Sequence, residues 1–88
     1  MQLLVRNKVK SFATWYRFLL QDTEAAAAFG ITLDRVWQAE DDSNDVYFIL
    51  NVEDRERAIA FMERPESAEI GEQSGVIDGE VRFLTLVE

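Results

Sequence analysis

Five aromatic side chains and one arginine carry most of the chemical promise of this chain. Trp15, Tyr16, Trp37, Phe48 and Phe61 sit on segments whose apolar spacing aims them at one interior. Aromatic residues dominate ordinary cores, so on their own they point to packing. Arg35 adds something else, because a charge on a covered face must find an anion or reach solvent. Trp15, Arg35, Trp37 and Phe48 together would line a pocket for a planar, mostly apolar molecule bearing a carboxylate or phenolate. The rings would supply contact area, and the guanidinium would orient the anion through paired hydrogen bonds.

The other candidates are weaker. Asp41, Ser43 and Asp45 have the spacing of a calcium loop, but Val46 stands where that loop needs glycine and Val52 where it needs a bidentate glutamate. Glu53, Asp54 and Glu56 cluster at a helix start, where anions are favoured without any catalytic role. Gly71, Gly75 and Gly79 match no phosphate loop and read as stops and turns. There is no histidine and no cysteine. A Ser-His-Asp triad and thiol chemistry are therefore excluded, and the ligands for a transition metal or an axially held haem are too few. No residue is assigned as catalytic, no metal ligand is assigned, and no cofactor is expected.

The elements that must position these residues follow from the pattern. Gln2 to Val9 reads as a strand, and Ser11 can cap a helix whose stripe is Phe12, Trp15, Tyr16 and Leu19. The alanine run continues that helix and Gly30 stops it. Ile31 to Glu40 is a second strand, Asp41 to Asn44 a turn, and Asp45 to Val52 a third strand. Asp54 caps a second helix with Ala58, Phe61 and Met62 on its buried side, and Pro65 ends it. Glu66 to Ser74 has room for further turns, with Gly75 as a stop. Asp78-Gly79 reads as a turn and Glu80 to Val87 as the last strand. The order βαββαβ gives one α+β domain over residues 1–88, ferredoxin-like, with a four-stranded antiparallel sheet and helices on one face.

With the hairpin loop at Asp41 to Asn44, Trp37 lies opposite Phe48. Leu33, Arg35, Trp37 and Ala39 then share the covered face with Val46, Phe48, Leu50 and Val52. Val36, Tyr47 and Ile49 fall on the other face. Four strands ~4.8 Å apart make a sheet roughly 20 Å wide, and two helices cover one side of it. The uncovered side is apolar enough to predict a homodimer that packs sheet to sheet through Val36, Tyr47 and Ile49.

Seventeen acidic residues against nine basic ones give a formal charge of −8. Such a surface repels phosphate backbones, so neither nucleic acid nor an anionic membrane is expected as a partner. No targeting segment or membrane span is visible, which leaves a cytoplasmic location as the default.

Several local motifs resemble a known family. They are Val9-Lys10-Ser11-Phe12 with Trp15, the Gly30 stop, and Arg35-Val36-Trp37. Further on come Asp41-Asp42-Ser43-Asn44-Asp45-Val46, Val52-Glu53-Asp54 with Ala58 and Phe61, Pro65-Glu66, and Gly75-Val76. Across nearly its whole length the chain resembles the dimeric α/β-barrel superfamily. Within it the likeness is to the small proteins grouped with antibiotic biosynthesis monooxygenases and often labelled cyclases. The resemblance implies a dimer of ferredoxin-like subunits with a ligand pocket between sheet and helices. Members of that superfamily include cofactor-independent oxygenases, isomerases and haem-binding enzymes. Their pockets commonly hold a histidine, which this chain lacks.

Three functions are compatible with these features. One is binding of a small aromatic or apolar anionic molecule between sheet and helices. The second is a cofactor-independent monooxygenase or cyclase. The third is a non-catalytic structural or interaction dimer.

Overall fold

Alternation of Leu3, Val5 and Val9 gives β1 (Gln2–Val9) one buried face, and all three side chains are buried in the computed structural model, which describes residues 1–88. Ser11 caps α1 (Phe12–Ala27), its side chain accepting from the Thr14 backbone N–H at 3.5 Å. Trp15 of the expected stripe is buried, and Phe12, Tyr16 and Leu19 pack around the core beside it. Gly30 ends the helix region at φ 73° and Gly75 plays the same part later at φ 85°, a region that costs other residues strain. Between them lie β2 (Ile31–Ala39), β3 (Asp42–Val52) and α2 (Arg55–Met62). Asp54 caps α2, accepting from the N–H groups of Glu56 at 2.9 Å and Arg57 at 3.4 Å.

Pro65 ends α2 as expected and also begins a separate helix, α3 (Pro65–Gln73). Proline suits a first helical position because no partner is needed there for its missing N–H. The order is therefore βαββααβ, closed by β4 (Val76–Leu84). That last strand starts four residues earlier than the sequence suggested. Asp78 and Gly79 lie inside it, paired with Lys8 and Asn7, rather than in a turn.

The sheet is antiparallel with strand order β2-β3-β1-β4. Two irregularities in the β2–β3 pair change which residues share a face. Leu33 faces Leu50, but the next partner of Ile49 is Arg35, so Asp34 is an extra, bulged residue. Beyond the bulge every β2 side chain changes sides. Trp37 consequently lies opposite Tyr47, not Phe48, and Val36 takes the place opposite Phe48. The hairpin turns at Glu40-Asp41, and β3 begins at Asp42 instead of Asp45. The polar run was expected to form the turn; it forms a second bulge, in which the Asp42 carboxylate accepts from the Asn44 N–H at 2.9 Å.

Leu3, Ile31, Val9 and Val46 are the largest fully buried side chains, and they join β1, β2 and β3 beneath the helices. Each such side chain contributes about 1.5–3 kcal/mol through burial. No helix is long and apolar enough to cross a membrane.

Asn44 ties the hairpin to this core. Its Oδ1 accepts from the Phe12 N–H at 3.1 Å, and its Nδ2 donates to the Lys10 carbonyl at 3.4 Å. It thus serves one of the free N–H groups that open α1. Asn44→Ala should cost about 1 kcal/mol, as loss of a cap does, and lower Tm by roughly 4–8 °C in a chain of this size. Thermal melts followed by circular dichroism check this; an unchanged midpoint would mean that Ser11 alone secures the helix start.

Candidate functional site

The helices do not fill the space they cover. A cavity of about 320 Å³ lies between the sheet and the helices, and 14 of its 20 lining residues are hydrophobic. Leu3 and Val5 of β1 and Phe48 and Leu50 of β3 form its floor; Trp15, Leu19 and Ala26 of α1 form one wall. Trp15 and Phe48 meet there with ring centroids 5.5 Å apart at 51°. Ile70 and Gly71 of α3 close the opposite side. Val81 of β4 also lines the space yet is 51% exposed, so the cavity opens along β4.

The polar atoms on the wall are few. Three hydroxyls already donate to backbone carbonyls: Thr23 Oγ1 to Leu20 at 2.6 Å, Ser67 Oγ to Phe61 at 2.7 Å, and Ser74 Oγ to Gly71 at 3.2 Å. Asn7 makes no side-chain hydrogen bond within the protein although it lies on the core face of β1. Its amide lies across β4, where a Cβ on Gly79 would come within 2.8 Å of Asn7 Oδ1. Glycine at position 79 is what gives this amide its room.

Asp22 is the one charged residue on the wall. Its Oδ1 receives Arg64 Nη2 at 3.5 Å, and both side chains are mostly buried, at 21% and 18% exposed. Arg64 is held elsewhere as well. Its Nε donates to the Phe61 carbonyl at 3.0 Å, its Nη2 to Ser67 Oγ at 3.2 Å, and its guanidinium carbon sits 3.8 Å from the Phe61 ring centre. These contacts fix the elbow between α2 and α3. Burial pushes the Asp22 carboxyl above its ordinary 3.8, and Arg64 offsets only part of that.

The sign of this shift gives a stability prediction. A carboxyl whose pKa is raised by folding favours the fold most below its unfolded pKa and loses that contribution as pH rises through the folded value. Asp22→Asn should therefore raise the melting midpoint at pH 7, with the gain shrinking to nothing below about pH 3.8. Melts of both proteins from pH 3 to 8 check it (~0.5-unit steps resolve the window). A variant less stable at pH 7 would show that the Arg64 contact outweighs desolvation.

Of the four residues expected to line a pocket, Trp15 and Phe48 do so, at 3% and 6% exposed. Arg35 and Trp37 do not. The Asp34 bulge turns both to the uncovered face, where Trp37 is 44% exposed beside Tyr47 and Arg35 lies beside Ile49. Of the three residues expected on that face, Tyr47 and Ile49 are there. Val36 is not; it packs against the core under the helices. Asn7 and Asp22 were missed, though each left a signal. Asn7 interrupts the apolar series Leu3, Val5, Val9, and Asp22 falls on the helical stripe of Trp15, Leu19 and Ala26.

No family model matches the chain, and no curated protein matches it in sequence. Solved structures match across its length. One is an antibiotic biosynthesis monooxygenase, with TM-score 0.73 and 13% identity over 99% of this chain and 98% of that one. Another is SnoaB, a cofactor-independent oxygenase from Streptomyces nogalater, with TM-score 0.77 and 13% identity over 99% and 92% of the two chains. A third is a proposed antibiotic biosynthesis monooxygenase from Deinococcus radiodurans, with TM-score 0.72 and 13% identity over 100% and 94%. The bulged sheet, the two-part helical cover and the strand order thus form, from end to end, the ferredoxin-like α+β fold of the antibiotic biosynthesis monooxygenases.

Proposed function

We propose that the chain works as a homodimer that binds a small, mostly apolar molecule in the cavity between sheet and helices. The cavity itself carries the proposal. A sealed apolar cavity of about 150 Å³ holds benzene, so 320 Å³ with a mostly apolar wall, though open along β4, has room for a body of about two fused rings. A purely structural dimer has no use for this space, since unfilled volume under a sheet lowers stability. Trp15 and Phe48 supply ring faces for the ligand, and Asn7 supplies the wall's one side-chain amide, which makes no bond inside the protein.

The expected anionic ligand is set aside, because its guanidinium is on the far side of the sheet and a carboxylate lines the cavity instead. An oxygenase that relies on the reactivity of its own substrate is the second reading. The shared fold with a cofactor-independent oxygenase favours it.

Trp15 provides the test. Trp37→Phe leaves Trp15 as the only tryptophan, at the cavity wall. Titration with 2-naphthol should quench its emission saturably, with one site per chain. Collisional quenching that never saturates would leave the structural dimer as the better account. Oxygen uptake with aromatic diols would distinguish turnover from binding alone.

A further inference from the structure

The few polar groups on the mostly apolar cavity wall are chiefly hydrogen-bond acceptors. The three hydroxyls on it donate their protons to the carbonyls of Leu20, Phe61 and Gly71, which leaves them only lone pairs to offer, and Ser67 already accepts from Arg64 Nη2 at 3.2 Å. Asp22 adds a carboxylate whose Oδ1 is touched by Arg64 at 3.5 Å, long for a charged pair, and whose Oδ2 has no hydrogen-bond partner in the chain. Arg64 cannot close on it further without leaving the Phe61 carbonyl, Ser67 and the Phe61 ring that hold it at the elbow. No buried side-chain nitrogen or oxygen lacks a partner, so the open Asp22 oxygen is accessible to solvent, on a residue that lines the cavity. The donors on the wall are the Asn7 amide and the Trp15 indole N–H, both neutral, so Asp22 is the one charged group a ligand would meet there.

From this distribution we infer that the cavity selects ligands that bring their own protons: an ammonium, amide N–H or hydroxyl group on an apolar body, received by Asp22. The inference rests on the binding reading above and specifies its ligand class. A ligand carboxylate or phosphate would meet a carboxylate and lone pairs on a mostly apolar wall, where like charges repel more than in bulk water. An ammonium would complete the open oxygen of Asp22 and replace water there with a charge-assisted bond.

Four probes of one shape test it in the Trp37→Phe background: naphthalene, 2-naphthol, 2-naphthylmethylammonium and 2-naphthoate. Quenching of Trp15 is read at about 0.15 M and about 1 M salt, because the attraction of a −8 protein for any cation is screened at high salt while contact inside a cavity is not. The ammonium should bind about tenfold tighter than naphthalene at both salts, the naphthol in between, and the naphthoate weakest. Asp22→Asn should bring the ammonium to within about threefold of naphthalene, both measured on that variant. Equal affinity for all four, or preference for the naphthoate, overturns the selection by acceptors and leaves the cavity as a site. An ammonium preference that survives Asp22→Asn or vanishes at high salt overturns Asp22 as the receiver. Failure of all four to bind removes the binding reading and this inference together.

Discussion

Gly71→Leu should abolish ligand binding and at the same time make the protein more stable. The two effects have separate causes. Gly71 stands inside α3 with ordinary helical backbone, not the positive φ of Gly30 and Gly75. A Cβ built on it meets nothing within 4 Å, and Gly71 lines the cavity. A glycine in a helix interior costs about 0.8–1 kcal/mol relative to alanine, and nothing in the fold requires that cost to be borne here. Leucine recovers most of it and places four carbons in unfilled space. The gain is about 1 kcal/mol or more, a rise in Tm of roughly 4–8 °C. The same side chain takes the volume a two-ring ligand needs, so saturable quenching of Trp15 should weaken by more than about tenfold. Gly71→Ala separates the effects, giving the stability gain with binding nearly kept. A leucine variant that binds as well as the parent would move the site elsewhere. One that melts lower would show that α3 packs more tightly than the cavity implies.

The pattern of side chains disclosed the fold more fully than the site, and the reason is physical. Strands and helices are announced by periodicity and by caps, and Ser11, Gly30, Asp54, Pro65 and Gly75 all act where the sequence placed them. A bulge has no such announcement. Asp34 is one residue of ordinary type in the middle of a strand, yet it exchanges the faces of Arg35, Val36 and Trp37. Three site assignments depended on that register, and all three side chains face the other way. Trp15, on the stripe of α1, was legible; Asn7 and Asp22 were missed, although each is a polar break in an apolar series. The strand β4 was misplaced for a related reason. Asp78-Gly79 has the composition of a turn, but here glycine is needed to make room for the Asn7 amide.

Ile49→Arg should split the proposed homodimer into monomers without unfolding the chain. The molecule is a slab of 33 × 30 × 18 Å, one sheet and one helical layer thick. Its bare sheet face is comparable in extent with the roughly 800 Å² that each partner buries in a standard interface. Four ranks cross that face: Thr32-Asn51-Gln2-Leu84, Arg35-Ile49-Leu4-Arg82, Trp37-Tyr47-Arg6-Glu80, and Asp45-Lys8-Asp78. An apolar band runs diagonally through them from Trp37 and Tyr47 across Ile49 and Leu4 to Leu84. The charges beside it are nearly balanced, with Arg6, Lys8, Arg35 and Arg82 against Asp34, Asp42, Asp45, Asp78 and Glu80. Four of these are already joined in two pairs, Arg6 to Asp45 at 2.9 Å and Lys8 to Asp42 at 2.7 Å. Copies of a chain with formal charge −8 repel one another over most of their surface, and this face is where that repulsion is least. Its mixture of signs also suits a two-fold contact, in which each patch meets itself. Ile49 sits at the centre of the band between Arg35 and Arg82. An arginine there buries a third positive charge twice over in a symmetric interface and removes the apolar centre, a change of the size seen at interface hot spots, about 2 kcal/mol or more and so at least roughly 30-fold in association. The side chain is remote from the core under the helices, so the far-UV spectrum should be unchanged. Sedimentation equilibrium at micromolar concentration decides the matter. A parent protein that is already a monodisperse monomer, or an Ile49→Arg variant that stays dimeric, would show that the bare face is not where two copies meet.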